Sequence, residues 1–137
     1  MNARDILFKT SRFNLSKIGK HFINPCCFGE DLAAWLRIKL AENGVEVGPS
    51  GQEDWGWYLR VKYDGNAYFL GMSGKVEENP TNVNDGEWRI IVKKNLSIWR
   101  RLSGMGKIPT DDAMVILVEQ ILRSESDFKN VHREDGA

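Results

Sequence analysis

Two adjacent cysteines, Cys26 and Cys27, are the side chains of this sequence best suited to nucleophilic chemistry. They come just before a predicted helix, whose positive N-terminal end can lower a thiol pKa, and His21 lies near them in the sequence. No further residue in the sequence is placed to orient His21 as a base, and a cysteine next to Phe28 is more often a small buried apolar residue. A thiol-dependent enzyme is therefore an alternative, but the pattern favours a protein without catalysis.

Other catalytic and metal-binding patterns are weak in this sequence or missing from it. Two neighbouring cysteines lack the spacing of a zinc-binding C-x-x-C pair, so the sequence predicts no metal and no cofactor. Glu46, Glu53 and Asp54 could supply paired carboxylates for acid and base catalysis, although acids beside a loop are usually solvated. The sequence has no Ser-His-Asp arrangement, phosphate-binding glycine loop or dinucleotide fingerprint.

Residues 89–107 form a segment with six basic side chains and no acidic one. Trp99 lies within it beside Arg100 and Arg101, so the segment could bind phosphates while the indole stacks on a base. The whole chain, however, has 19 Lys plus Arg and 19 Asp plus Glu, whereas duplex DNA-binding domains are usually net basic. The same segment could instead receive an acidic protein surface.

The tryptophans give a second indication of a binding surface, since the chain contains five of them. Trp55 and Trp57 flank Gly56, which predicts two indoles on one face of a strand, with Trp55 at the open end of a hairpin. Large rigid aromatic side chains contribute most of the binding energy when a partner buries them. The predicted binding residues are Trp55, Trp99, Arg100, Arg101, Lys93, Lys94 and Lys107.

A central hairpin is predicted at residues 55–73, because Asp64 and Gly65 suit a two-residue type I′ turn. Such a turn pairs Tyr63 with Asn66 and fixes the register of both strands. One face of the hairpin and of the next strand is then apolar, and the other face carries Arg60 opposite Phe69. The apolar positions are Trp57, Leu59, Val61, Tyr68, Leu70, Met72, Trp88, Ile90 and Val92.

Two stretches, at about 30–43 and 111–124, have the apolar spacing of amphipathic helices. Gly29 is the predicted N-cap of the first helix, and Asn43-Gly44 ends it. Thr110 is the predicted N-cap of the second helix, with Asp111 and Asp112 in its first turn.

Weaker patterns complete the predicted fold. We expect one or two edge strands within residues 4–23, a brief strand at 45–47, a loop at 48–52 and a last edge strand at 128–133. The predicted fold class is α+β, with residues 1–137 forming a single domain. In it, a mostly antiparallel sheet built around the hairpin has the two helices packed on one face.

Localisation and function are predicted mainly by exclusion. Neighbouring cysteines rarely bond to each other, so we expect no disulfide framework, and no apolar run approaches the roughly 20 residues needed to cross a bilayer. We expect a cytoplasmic protein with no membrane partner. The predicted function is a small stand-alone protein-binding or inhibitory protein, for example one that neutralises a toxin, nuclease or defence complex. The alternatives are a nucleic-acid-binding module that uses residues 89–107 and a thiol-dependent enzyme that uses Cys26 or Cys27. No pattern indicates an oligomeric state.

Overall fold

The computed structural model describes residues 3–17, 20–22, 28–94, 108 and 111–134. The elements formed by these residues are β1 (Ala3–Thr10), α1 (Glu30–Glu42), β2 (Glu46–Val47), β3 (Gly51–Glu53), β4 (Gly56–Tyr63), β5 (Asn66–Val76), β6 (Gly86–Lys94), α2 (Ala113–Arg123) and β7 (Lys129–Glu134). The strands form one antiparallel sheet in the order β2-β4-β5-β6-β1-β7, and β3 pairs with β4 on the same edge as β2. The α+β fold class is confirmed.

The central hairpin of β4 and β5 has the predicted register. Asp64 and Gly65 both have positive φ, at 51° and 76°, as a type I′ turn requires. Tyr63 therefore lies opposite Asn66, and every later pair follows from this one. All nine apolar side chains predicted for the core face of β4, β5 and β6 are buried. The turn and the two-residue period of the side chains together determine the register of β4 and β5.

Both helices pack on this core face. Trp35 of α1 contacts Phe128 with ring centroids 5.1 Å apart, and Phe13 contacts both Trp35 and Trp88 of β6. At the start of α2, Asp112 accepts a hydrogen bond from Tyr68 of β5. The first helix has the predicted N-cap, Gly29, and its C-cap is Asn43. Within the described ranges, no helix is long and apolar enough to cross a membrane.

The prediction that the first strand lies at an edge is wrong. β1 pairs with β6 on one side and β7 on the other, and β7 forms the edge, as predicted for residues 128–133. Asp5 is unusual for an interior strand, but Arg89 of β6 binds its carboxylate and offsets the cost of burying it. Phe13 and Leu15 lie outside any strand, although both are buried in the core.

The second helix begins two residues later than predicted, at Ala113. Asp112 is its N-cap, because the carboxylate accepts a hydrogen bond of 2.9 Å from the backbone N–H of Met114. The predicted cap, Thr110, lies outside the described residues. Thr and Asp are both good N-cap residues, so local propensity could not choose between them.

The predicted loop at 48–52 contains the start of a strand. Gln52 of β3 lies opposite Trp57, and Glu53 lies opposite Gly56. Asp54 and Trp55 therefore form a two-residue turn between β3 and β4. Because Trp55 lies in this turn, its side chain does not follow the side-chain alternation of β4. Its indole therefore lies on a different face of the sheet from the one that this alternation predicts.

Candidate functional site

The face of the sheet opposite the helices, the open face, presents a row of mixed side chains across its central strands. Arg60 of β4 lies opposite Phe69 of β5, and Phe69 lies opposite Lys93 of β6. In the next row, Tyr58 and Ile91 lie on either side of β5. The sequence neighbours of these residues are buried in the core, and successive side chains of a strand point to opposite faces.

Four side chains near the centre of the open face form the open-face cluster: Trp55, Tyr58, Arg60 and Phe69. The rings of Tyr58 and Phe69 stack with their centroids 5.2 Å apart and an interplanar angle of 22°. Trp55 meets Phe69 edge to face at a centroid distance of 6.2 Å. The guanidinium carbon of Arg60 lies 5.5 Å from the centroids of both Tyr58 and Phe69, within the range of a cation–π interaction.

Trp55 rests on the backbone of β5 at Gly71. A Cβ atom at position 71 would lie 2.7 Å from Cη2 of this indole, so the glycine provides the space that the ring occupies. Trp55 is 39% exposed, whereas Trp57 is buried on the core face. The prediction that the two indoles share a face is wrong, because Trp55 lies in the turn before β4.

Three exposed cations, Arg60, Lys62 and Lys93, lie in or beside the open-face cluster. Within the described part of the chain, none of the three forms an ion pair with a carboxylate. The nearest acid in register is Glu46 of β2, which lies opposite Lys62. Positive charge therefore exceeds negative charge on this part of the open face.

Farther across the open face, the basic residues have acidic partners. Arg89 binds Asp5 of β1, and one of its nitrogens lies 3.4 Å from the carboxylate of Glu134. Desolvation lowers the pKa of Arg89, but the hydrogen bond and the charge of Asp5 outweigh it and raise the pKa above its ordinary value. Lys9 and Lys75 each lie 3.7 Å from Glu87. The charge of this region is thus balanced within the fold.

Lys94, a predicted binding residue, lies on the core side of the sheet. Its Nζ is 3.0 Å from Oδ2 of Asp112 and 5.7 Å from the ring centroid of Tyr68, and its side chain is only 12% exposed. Burial, followed by the hydrogen bond to Asp112, raises the pKa of the Tyr68 hydroxyl. This buried network joins the end of β6 to the start of α2, which favours a structural role for Lys94.

The remaining predicted binding residues, Trp99, Arg100, Arg101 and Lys107, lie outside the described residues. Cys26 and Cys27 also lie outside them. The structure therefore brings together Trp55 and Lys93 from the predicted set, both on the open face.

Two of the acidic residues considered for catalysis, Glu46 and Glu53, are far apart. Glu46 pairs with Lys62 near one end of β4, whereas Glu53 pairs with Gly56 at the other, roughly 20 Å away at 3.3 Å per residue. His21 lies elsewhere, with Nε2 2.8 Å from a carboxylate oxygen of Glu30. In the ranges that the structure covers, no group of three His, Cys, Asp or Glu residues could hold a metal ion. Glu46 is thus too far from Glu53 to form a paired-carboxylate site with it.

Comparison of the chain with protein-family models, with curated proteins and with solved structures found no match. The geometry and chemistry of the open face are therefore the basis for inferring function. Sequence reasoning did not select Tyr58, Arg60 and Phe69 as binding residues. The available signal was the hairpin register, which already placed these two aromatic residues and the arginine on the face away from the core.

Proposed function

We propose that this protein is a stand-alone binding or inhibitory protein without catalytic activity, which docks on another protein through its open face. The observation that carries the proposal is the open-face cluster. It places three aromatic side chains and an arginine on a sheet whose other face is covered by two helices. Tryptophan, tyrosine and arginine are the residues most enriched at the energetic centres of protein interfaces.

The size of the open face fits one protein partner. Six neighbouring strands span about 24 Å at their usual spacing, and a strand of the length of β4 spans about 26 Å. The projected area is roughly 600 Å², close to the ~800 Å² that each partner contributes to a typical stable interface. Because the surface belongs to a hydrogen-bonded sheet, its backbone loses little conformational freedom on binding.

A single-stranded nucleic acid is the second candidate ligand, because aromatic and basic side chains together can stack bases and bind phosphates. Two observations favour a protein instead. Tyr58 and Phe69 stack on each other with Arg60 against both, so part of the ring surface that a base needs is already occupied. In addition, the exposed Glu46 lies opposite Lys62, where its charge would repel a phosphate backbone.

The proposal can be tested with two open-face variants, Trp55→Ala and Phe69→Ala. Each variant and the wild-type chain serve as bait in extracts of the native host, and the captured proteins are quantified by mass spectrometry. The matched controls are Ile38→Ala on α1 and Val83→Ala in the β5–β6 loop, whose side chains are 62% and 68% exposed. Circular dichroism checks that all four variants remain folded.

We expect a specific protein that is retained by the wild type and both controls and is lost from both open-face variants. Identical capture by all baits would contradict docking through the open face, as would loss confined to a control variant. Fluorescence anisotropy with labelled single-stranded RNA and DNA at low salt tests the second candidate. Oligonucleotide binding that depends on Phe69, without any captured protein, would replace the proposal by nucleic-acid binding.

A further inference from the structure

We infer that the partner surface is acidic and that Arg60 binds one of its carboxylates through two parallel hydrogen bonds. This inference rests on the proposed function and specifies the chemistry of the partner. It makes Arg60 the residue that determines specificity within the open-face cluster. Trp55 and Phe69 then contribute the apolar contact around this ion pair.

Arg60 is already held in place before any partner binds. Its guanidinium lies at the same distance, 5.5 Å, from two aromatic rings, which restrict the rotamers of its long side chain. An arginine side chain that is not packed against other groups keeps its rotamer freedom until it binds a partner. The loss of this freedom on binding lowers the affinity. The side chain is nevertheless exposed and forms no hydrogen bond within the described residues. Its planar fork of N–H donors is therefore available, and this fork matches the geometry of a carboxylate.

Two lysines extend the positive surface around Arg60. Lys62 lies two residues farther along β4, about 7 Å away, and Lys93 lies two strands away in the same row, at about 10 Å. The Arg60–Lys62 separation is within the Debye length of ~8 Å at physiological salt, so these two charges act together on an approaching surface. The Arg60–Lys93 separation slightly exceeds that length, so Lys93 adds a more strongly screened charge. A partner with several carboxylates at similar spacing would associate faster and in a defined orientation.

The distribution of acids on this side of the molecule favours protein carboxylates over phosphates. Glu46 is exposed and lies opposite Lys62, so a negative charge borders the cluster. A nucleic acid carries a charge at every nucleotide and would place phosphates near this acid. A protein surface can place a neutral or basic side chain opposite Glu46 and a carboxylate opposite Arg60.

The test begins with photocrosslinking of the full chain in extracts of the native host. Benzoylphenylalanine replaces Ile91, which is partly exposed on the open face but lies outside the cluster. The control carries the same group in place of Ile38 on α1. The protein that is crosslinked from position 91 is identified, the contact region is mapped, and its affinity for the wild-type chain is measured with purified proteins.

Charge reversal then tests Arg60 directly. We expect Arg60→Glu to weaken binding at least a hundredfold and Arg60→Lys about tenfold, because lysine cannot form the paired hydrogen bonds. Arg37→Glu, the same charge change on the exposed side of α1, should leave the affinity within about twofold of the wild type. An Asp or Glu→Arg change in the mapped region of the partner should restore binding to the Arg60→Glu variant. Unchanged urea midpoints show that the losses do not come from unfolding.

The outcomes separate this inference from the proposed function. Crosslinking from position 91 to a protein whose affinity is insensitive to Arg60→Glu would overturn the acidic-partner inference and leave docking through the open face intact. Crosslinking to nucleic acid, crosslinking only from position 38, or no crosslink from position 91 would overturn both.

Discussion

Replacing Asp112 should destabilise the fold more than the loss of a helix cap alone. Its carboxylate is 2% exposed and accepts hydrogen bonds from the Tyr68 hydroxyl at 2.9 Å, from Lys94 at 3.0 Å and from the backbone N–H of Met114 at 2.9 Å. Three parts of the chain, β5, β6 and the start of α2, therefore depend on a single side chain. Asp112→Ala removes all three interactions at once.

The expected size of the effect follows from the burial of these groups. Loss of an N-cap costs about 1 kcal/mol, whereas removal of one partner of a buried ion pair costs about 3–5 kcal/mol. The Lys94 side chain is 12% exposed, so water partly compensates for the lost carboxylate. We therefore expect the free energy of unfolding to fall by about 3 kcal/mol in total, out of about 5–15 kcal/mol for a typical domain. Asp112→Asn keeps the cap and the shape and should cost about 2 kcal/mol.

Urea unfolding, followed by tryptophan fluorescence and far-UV circular dichroism, measures these losses. Lys94→Met is the partner variant, because methionine keeps the apolar stem and removes the charge. The double variant of Lys94→Met with Asp112→Asn should lose less than the sum of the two single variants, with a coupling energy of about 1 kcal/mol or more.

Two results would refute this reasoning. A loss of about 1 kcal/mol or less for Asp112→Ala would mean that Asp112 acts as a helix cap alone. Additive losses in the double variant would mean that the Lys94–Asp112 pair makes no net contribution to stability. In either case the buried network would not be what fixes α2 to the end of β6.

Two further predictions concern the core and the acid limit of stability. Leu59→Ala should lower the free energy of unfolding in urea by about 2–5 kcal/mol, because the side chain is fully buried, and a loss below ~0.5 kcal/mol would contradict its packing. Desolvation raises the pKa of Glu119, but the hydrogen bond and the charge of Arg133 outweigh it and lower the pKa. The stability from this pair is thus present above the ordinary carboxyl pKa and is lost as the pH falls through the lowered value. Below about pH 4.5, wild type should lose stability more steeply than Glu119→Gln; equal slopes in acid urea titrations would disprove this coupling.

The central hairpin could be predicted to the level of residue pairs. Asp64 and Gly65 select the turn. A slip of one residue would expose Leu59 and Leu70 together, so only one register keeps the apolar side chains in the core. The same register placed Arg60 opposite Phe69 on the outer face, which is half of the open-face cluster. The turn residues and the burial pattern indicate the same register, and this agreement made the prediction possible.

The position of β1 and the role of Trp55 could not be predicted in the same way. A strand with one buried face has the same alternation of apolar and polar residues at the edge of a sheet as inside it. β1 lies inside the sheet because it pairs with β6 and β7, which are distant in the sequence. Asp54 is a common turn residue but Trp55 is not, so the short strand β3 and the two-residue turn after it were not evident. The complete open-face cluster could therefore not be predicted, because it depends on a tertiary arrangement that places the Trp55 indole over Gly71.

The placement of β1 between β6 and β7 has a consequence for synthesis of the chain. Asp5 and Arg89, which link β1 to β6, are 84 positions apart. At ~5–20 residues per second, Ile6 and Phe8 leave the ribosome on the order of ten seconds before β6 is available to cover them. The strands β4, β5 and β6 are consecutive and can pair as they emerge. The β4–β6 part of the open face can thus form early on the nascent chain, whereas β1, which precedes these strands, remains unpaired until β6 has emerged.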